Sequence, residues 1–420
     1  MKFGGASVKN AAAVRNVAKI IQEHLSEQPL VIVVSAMDKT TNALEKLAQA
    51  ATCNQATETI QQLEQIRTFH ETIVNELFDS TTAKKVNAET DVYFNELQRI
   101  IDGILLLGDF PNRIYDRIMA FGELISSVIV FHYLRQSNVE TTWLDARTVI
   151  KTDASFKHAE VVWNTTLANI QNQIKPLFKK YPVVLTQGYI ASTTDEKTTT
   201  LGREGSDFTA SILAAGLEAK KVIVWKDVPG VLSADPKKFP TEAVKIPELN
   251  YAQAIEMTFY GASVIHPKTL KPLYNQQIPL YVKYFLDTRE AGTVISNRST
   301  SVAASKLVKS HQVLLNFQPR DFSFVEGRQI STVLAHVESL GLQVNLIQTS
   351  AISLTLCVDE SVEGINNLIS LCSDSFHVTQ ERGLSLQTLL HSSVKELSLS
   401  SEKRLIQADG ERLHVVMKDK

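Results

Sequence analysis

Cysteines and long apolar runs are both scarce in this chain. The three cysteines, at positions 53, 357 and 372, are odd in number and far apart. Such usage favours reduced thiols over a disulfide framework or a zinc site. No apolar stretch approaches the length of a membrane-spanning helix, and the amino terminus lacks the apolar core of a secretory signal. We therefore expect a soluble, cytoplasmic protein.

A strong charge of either sign is also missing. The formal net charge is −2, with 21% charged and 44% hydrophobic residues, so bulk electrostatics gives no reason to expect binding to nucleic acid or to a membrane. None of the ten histidines has metal-ligand spacing, and we predict no protein-built metal site. His266 is interpreted as structural. The length of 420 residues suits two or three domains.

What the chain does contain is short, β-branched apolar runs that alternate with helical patterns. This order predicts an α/β fold, with an open, mainly parallel sheet sandwiched by helices. The segment 55–105 is expected to be a helical excursion from the sheet. The strand-like runs cover 30–36, 181–191, 220–228 and 278–285.

Beyond residue 310 the pattern changes to a β-α-β-β-α-β order, which predicts a small ferredoxin-like domain. The segment 394–410 reads as one short helix or as more strand. We expect a main domain over 1–295, a linker over 296–310, the small domain over 311–385 and a partial second unit over 386–420.

Three segments carry residues suited to binding anions. Near the amino terminus, Lys2 and the adjacent glycines offer a mobile charge and exposed N–H groups ahead of a helix, although a simple turn with a solvated lysine is the better interpretation of this stretch taken alone. "TTTLGREGSD" (198–207) opens an apolar helix, and Arg203 with Asp207 fits either an anion site or a surface ion pair. "WKDVPGVLSADPKK" (225–238) follows a buried strand and fits a ligand loop or a plain turn.

Six segments together resemble the aspartate kinases of the amino acid kinase superfamily. They are "KFGGAS", "VVSAMDKTTN", "FGELISS", "TTTLGREGSD", "WKDVPGVLSADPKK" and "YGASVIHPKTL", and they occur in that family's order over residues 1–295. The carboxyl-terminal part resembles the ACT regulatory region of the same enzymes. The resemblance implies ATP- and Mg²⁺-dependent phosphorylation of the β-carboxylate of L-aspartate, the first step of lysine, threonine and methionine biosynthesis, by a homodimer.

The resemblance also implies a role for individual residues. Lys2 and Asp207 would be catalytic, and Asn345, Thr349 and Ser350 would form a weak effector site. The substrate would contact Ser35, Thr41, Glu123, Tyr189, Arg203 and Ser206. The nucleotide would contact Gly4, Gly5, Ser7, Lys226, Asp227, Gly230, Leu232, Asp235, Lys237 and Ser263. Arg203 would bind the α-carboxylate of aspartate and Glu123 its ammonium group.

Several positions depart from the family pattern. Glu204 stands where many relatives have glycine or asparagine, and Ser263 stands where a lysine commonly reaches the nucleotide. Relatives often have threonine, an aromatic residue and arginine at the positions of Lys226, Leu232 and Lys237. We hypothesise that Lys226 replaces the lysine charge that is missing at position 263. Asn345 and Ala351 stand at positions where lysine-inhibited relatives have carboxylates, which weakens any site for a cationic effector.

Two alternatives stay open at this point. The first is a sibling kinase that phosphorylates another carboxylate, such as glutamate or acetylglutamate. The second is an amino acid sensor that has kept the fold and lost turnover. Tests of ATP-dependent product formation with each acid distinguish them.

Overall fold

The computed structural model describes residues 1–25, 29–262, 265–298, 303–391 and 403–419. Its contacts divide the chain into two units. The first unit contains residues 1–231, 245–255 and 264–301, and the second contains 232–244, 256–263 and 302–420. Among the described residues, no helix has both the length and the apolarity to cross a membrane. All three cysteines are free thiols.

The first unit is built on strands that alternate with helices. Its strands are β1 (Lys2–Phe3), β2 (Leu30–Val34), β3 (Thr141–Leu144), β4 (Lys151–Thr152), β5 (Val183–Gln187), β6 (Ile190–Thr193), β7 (Thr198–Thr200), β8 (Val222–Lys226), β9 (Glu248–Leu249), β10 (Leu280–Tyr284) and β11 (Thr293–Ile295). The helices that lie between these strands in the chain are α1 (Ala11–His24), α2 (Thr40–Thr52), α3 (Ala56–Leu77), α4 (Ser80–Leu107), α5 (Asn112–Gln136), α6 (Ala146–Val149), α7 (Trp163–Asn169), α8 (Gly205–Leu217), α9 (Tyr251–Phe259) and α10 (Pro267–Gln276). Helix α9 crosses the division between the units at residue 256.

The main sheet has the strand order β3-β5-β2-β1-β8-β10-β11-β9, and the β3-to-β10 part is parallel throughout. Unbroken apolar runs form these strands because helices cover both faces of the sheet. The short strand β1 lies at the centre, with Lys2 opposite Val33 on one side and Val224 on the other. The predicted α/β sheet with its helical excursion is therefore confirmed.

One expected strand, 181–191, is in fact two strands. The strand is interrupted at Gly188 and Tyr189, and Tyr189 has a left-handed backbone with a φ of 67°. A Cβ atom at Gly188 would lie 2.4 Å from the Cβ of Ser206, so this turn depends on contact with a distant segment. Strand β6 then joins a separate sheet of order β4-β6-β7.

The second unit contains the elements β12 (Ser305–Pro319), α11 (Gly327–Ser339), β13 (Val344–Thr349), β14 (Leu354–Asp359), α12 (Val362–Cys372), β15 (Phe376–Leu390), β16 (Lys403–Asp409) and β17 (Arg412–Lys418). The predicted β-α-β-β-α-β order is therefore present. The strands form one antiparallel sheet of order β13-β14-β12-β15-β17-β16. Helices α11 and α12 pack on it around Val313, Leu315, Val333 and Leu368.

Strands β12 and β15 are longer than expected, because Ser305–Lys309 pair with Leu386–Leu390. Residues 305–310 of the expected linker are thus part of a strand, and the expected boundary at 386 falls inside β15. Strands β16 and β17 extend the same sheet. Of the two readings of 394–410, residues 403–409 are strand, and 394–402 lie outside the described residues. The four-part domain division stays a prediction.

Candidate active site

A cavity of about 560 Å³ in the first unit lies where β1, β2 and β8 end and α8 begins. The carboxyl ends of parallel strands are the usual ligand-binding edge of such sheets. The cavity brings together most of the predicted catalytic and substrate residues. Its lining includes Lys2, Gly5, Ser35, Thr41, Glu123, Tyr189, Arg203, Ser206, Asp207 and Lys226.

The centre of the cavity is a cluster of two lysines and one carboxylate. The Nζ atom of Lys2 lies 2.7 Å from Oδ1 of Asp207, and the Nζ atom of Lys226 lies 2.7 Å from Oδ2. The Asp207 side chain is only 1% exposed. Burial opposes ionisation of Asp207, but the two lysines outweigh it and hold its pKa below the ordinary value. The cluster thus carries one net positive charge, which suits an incoming phosphate.

Backbone geometry places these side chains. A Cβ atom at Gly5 would lie 2.7 Å from the carbonyl oxygen of Asp38, so the turn after β1 leaves no room for a side chain. At the start of α8, a Cβ atom at Gly205 would lie 2.7 Å from the Tyr189 ring. These two glycines therefore allow the close approach that brings Lys2 and Asp207 together.

Glu123 is a buried carboxylate that makes no ion pair within the described residues. It is 3% exposed and lies in the part of α5, residues 118–130, that is buried throughout. The Ala36 N–H donates to its Oε1 at 2.9 Å, whereas Oε2 is buried with no hydrogen-bond partner among the described residues. Burial raises the pKa of Glu123 to about 8. A cationic group that entered the cavity would satisfy this oxygen.

Arg203 gives the cavity a guanidinium that no carboxylate engages. Arg203 is exposed and makes no ion pair within the described part of the chain. Together with Glu123, it offers one cation and one anion to the same space. Such a pair can bind a molecule that carries both an ammonium and a carboxylate.

Several lining residues were not predicted from the sequence, notably Lys157, His158, Tyr115 and Glu204. Lys157 is held in a left-handed backbone, with φ of 73°, because its N–H donates to Asp116 at 3.0 Å. Its Nζ lies 4.5 Å from the centre of the Tyr115 ring. The spacing of seven residues places Asp116 on the same helix face as Glu123, but nothing in the sequence connects Asp116 with Lys157.

Other predicted nucleotide residues do not line this cavity. The Ser7 hydroxyl is buried without a hydrogen-bond partner in the described residues, and Gly4 lies beside Lys2, because a Cβ there would be 3.5 Å from Nζ. Asp227 is exposed. Gly230 packs against Thr293, whose Oγ1 would lie 2.5 Å from a Cβ. This contact accounts for Gly230 structurally.

The remaining predicted residues belong to the second unit. Leu232, Asp235 and Lys237 lie there, where Asp235 Oδ1 accepts from the Lys237 N–H at 2.9 Å in a tight turn. Ser263 lies outside the described residues. Asn345 is buried in a polar network, separate from Thr349 and Ser350, which line another cavity of about 580 Å³.

The described residues contain no group of three or more His, Cys, Asp or Glu side chains that could hold a metal ion. The acidic side chain at the centre, Asp207, is engaged by lysines through both oxygens. This donor set fits a metal ion that arrives on a ligand's phosphates and keeps several waters.

Comparisons of the sequence and of the structure with known proteins point to the same family. The sequence model of the amino acid kinase family matches residues 1–284. "Aspartokinase 2, chloroplastic" of Arabidopsis thaliana is 31% identical, over 96% of this chain and 75% of the relative. The chain belongs to the aspartokinases of the amino acid kinase family. The resemblance identified from the six motifs is thereby confirmed.

Two further aspartokinases support this assignment. "Lysine-sensitive aspartokinase 3" of Escherichia coli (strain K12) is 30% identical, over 85% of this chain and 77% of the relative. The crystal structure of E. coli aspartokinase III in complex with aspartate and ADP (R-state) matches with a TM-score of 0.86 and 27% identity, covering 99% of this chain and 95% of that one.

Proposed function

We propose that this aspartokinase transfers the γ-phosphoryl group of ATP to the β-carboxylate of L-aspartate at the Lys2–Asp207–Lys226 cluster. The product, 4-phospho-L-aspartate, begins lysine, threonine and methionine biosynthesis. The observation that carries the proposal is the 2.7 Å contact of each lysine with the buried Asp207. A carboxylate acceptor is already ionised at neutral pH, so the reaction needs no general base. The enzyme must instead bring two anions together and compensate their charge.

The cluster is suited to this task. Lys2 and Lys226 supply two positive charges, and Asp207 fixes both ammonium groups in place through its two oxygens. In this role Asp207 is a positioning group that takes no proton, in keeping with its lowered pKa. Lys2 would contact the phosphoryl group during transfer, and Lys226 would bind the phosphate chain.

Aspartate would be recognised as a zwitterion. Arg203 is free to bind its α-carboxylate through two parallel hydrogen bonds, and the unsatisfied Oε2 of Glu123 would accept from its ammonium. Hydroxyls from Ser35, Thr41, Tyr189 and Ser206 line the same space. Substrates that lack the ammonium group, such as acetylglutamate, would leave Glu123 unpaired.

The nucleotide would carry Mg²⁺ into the site, and the lysines would share its phosphates. Mg²⁺ supplies charge compensation on the transferring phosphoryl group. We assign adenosine and phosphate contacts to Gly4, Gly5, Ser7, Asp227, Gly230, Leu232, Asp235, Lys237 and Ser263 on the motif match alone. A homodimer, a cytoplasmic location and an amino acid effector at the ACT region are proposed on the same basis.

The test is ATP-dependent trapping of the acyl phosphate with hydroxylamine. We expect hydroxamate with aspartate and none with glutamate or acetylglutamate. Lys2→Ala and Asp207→Asn should each lower kcat by about 100-fold or more, whereas Lys9→Ala, an exposed lysine of the same segment, should not. Ligand binding without any hydroxamate would favour the sensor, and equal turnover of glutamate would favour the sibling kinase.

A further inference from the structure

Glu204 is the cavity residue that the proposed mechanism leaves unexplained. It directly precedes α8 and has a left-handed backbone with φ of 53°, a conformation that favours glycine. Its side chain makes no capping hydrogen bond to the helix. Its Oε2 atom is nevertheless buried, with no hydrogen-bond partner in the described residues. Helix capping and solvation therefore do not account for the inward carboxylate.

The charges around Glu204 show what it can interact with. Burial raises its pKa, and Lys226 on β8 is the strongest opposing influence. Asp207 on α8 repels the carboxylate, whereas Lys2 on β1 and Arg203 on the same loop attract it. Lys226 is already bound to Asp207 at 2.7 Å. One ammonium group thus faces two carboxylates, while Asp207 divides its charge between two lysines.

We infer that Glu204 competes with the nucleotide's phosphate chain for Lys226 and thereby sets the affinity of the site for nucleotide. Without nucleotide, Lys226 contacts Asp207 and is attracted by the carboxylate of Glu204, which lines the same cavity. An arriving phosphate competes with Glu204 for the positive charge of Lys226. This inference rests on the proposed nucleotide-binding role of Lys226. Glu204 acts through Lys226 and is a positioning residue.

Glu204→Gln keeps the shape and the backbone conformation and removes the competing charge. We expect it to lower the Kd for Mg·ADP, measured by calorimetric titration without aspartate, on the order of three- to tenfold. KM for ATP should fall in parallel while kcat changes little. A merely structural role predicts the opposite, because a disturbed loop weakens binding.

The chain offers a matched control in Glu218. It ends the same helix, has the same left-handed backbone with φ of 51°, and is exposed. Glu218→Gln removes the same charge at the other end of α8 and should leave the Kd for Mg·ADP unchanged. If both variants bind Mg·ADP more tightly by the same factor, the effect is due to the net charge of the protein, and the inference is wrong.

The route through Lys226 is tested by combining Glu204→Gln with Lys226→Ala, titrated at protein concentrations that reach millimolar Kd values. In the Lys226→Ala background, Glu204→Gln should no longer tighten binding. A gain that persists there, or a Kd that Glu204→Gln leaves unchanged or raises, contradicts the inference. The titrations measure nucleotide binding and need no turnover. Failure to form hydroxamate would therefore refute the proposed function without affecting the test of Glu204.

Discussion

At the scale of single residues, Glu123 is a carboxyl group whose ionisation the fold strongly opposes. Its pKa of about 8 is far above the ordinary value of 4.5, because burial penalises the charged form. Between these values the folded protein binds more protons than the unfolded chain. The stability contributed by protonated Glu123 is therefore complete below about pH 4.5 and is lost as the pH rises through about 8.

This leads to a pH-dependent prediction for the protein without ligands. The midpoint of urea unfolding should fall as the pH rises from about 5 to about 8, and Glu123→Gln should flatten that slope, since the amide does not ionise. The measurement is a set of unfolding curves for both proteins across this range, with saturating aspartate as a second condition. Aspartate should reduce the slope of the wild type, because its ammonium compensates the ionised carboxylate. Identical slopes in the two proteins would contradict the pKa shift.

The sequence indicated Glu123 and Asp207 because each lies in or opens an apolar helix, where a carboxylate needs a partner. Lys157 could not be found in this way. Its position depends on the left-handed turn that Asp116 holds from a distant helix. In the sequence, Glu204 was only a departure from a family pattern. Only the structure shows that its Oε2 is buried and that its carboxylate interacts electrostatically with Lys226.

At the scale of elements, the parallel strands were predictable because burial on both faces requires unbroken apolar runs. The division of 181–191 at Gly188 was not, because it depends on packing against Ser206. The extension of β12 to Ser305 was also missed. Its first residues, Ser305–Lys309, directly follow a stretch of small residues, and they are strand because they pair with Leu386–Leu390.

The turn after β1 gives an element-scale prediction. Gly5→Ala places a Cβ about 2.7 Å from a backbone oxygen of Asp38, and such overpacking costs about 1–3 kcal/mol in the free energy of unfolding. Because this turn directly follows the strand that carries Lys2, kcat should fall as well. Gly103→Ala is the matched control, since nothing lies within 4 Å of a Cβ atom at this position near the end of α4. It should raise the free energy of unfolding by about 0.5–1 kcal/mol. Both values come from urea unfolding, and an unchanged Gly5→Ala protein would show that the turn can relax.

At the scale of the whole molecule, the question is how the second unit responds to amino acids. Asn345, at a position where the motif predicts an effector carboxylate in lysine-inhibited relatives, is satisfied inside the unit. Its amide donates to Gln312 at 2.7 Å and to Asp359 at 2.8 Å, and Lys309 donates to its oxygen at 2.8 Å. Asp359 is likewise engaged by Lys309 at 2.9 Å. The carboxylate of this network, Asp359, already accepts from Gln312 and Asn345 and pairs with Lys309 through its Oδ1.

We therefore expect lysine to leave the initial rate of aspartate phosphorylation unchanged at concentrations up to several millimolar. Threonine and methionine, whose side chains are uncharged, do not need such a carboxylate and are tested beside it. The measurement is the initial rate with aspartate at its KM, with each amino acid alone and in pairs. Asn345→Asp serves as the comparison protein, because it restores a carboxylate at this position beside Lys309. Inhibition of the wild type by lysine that saturates in the low millimolar range would show that lysine is recognised by groups outside this network.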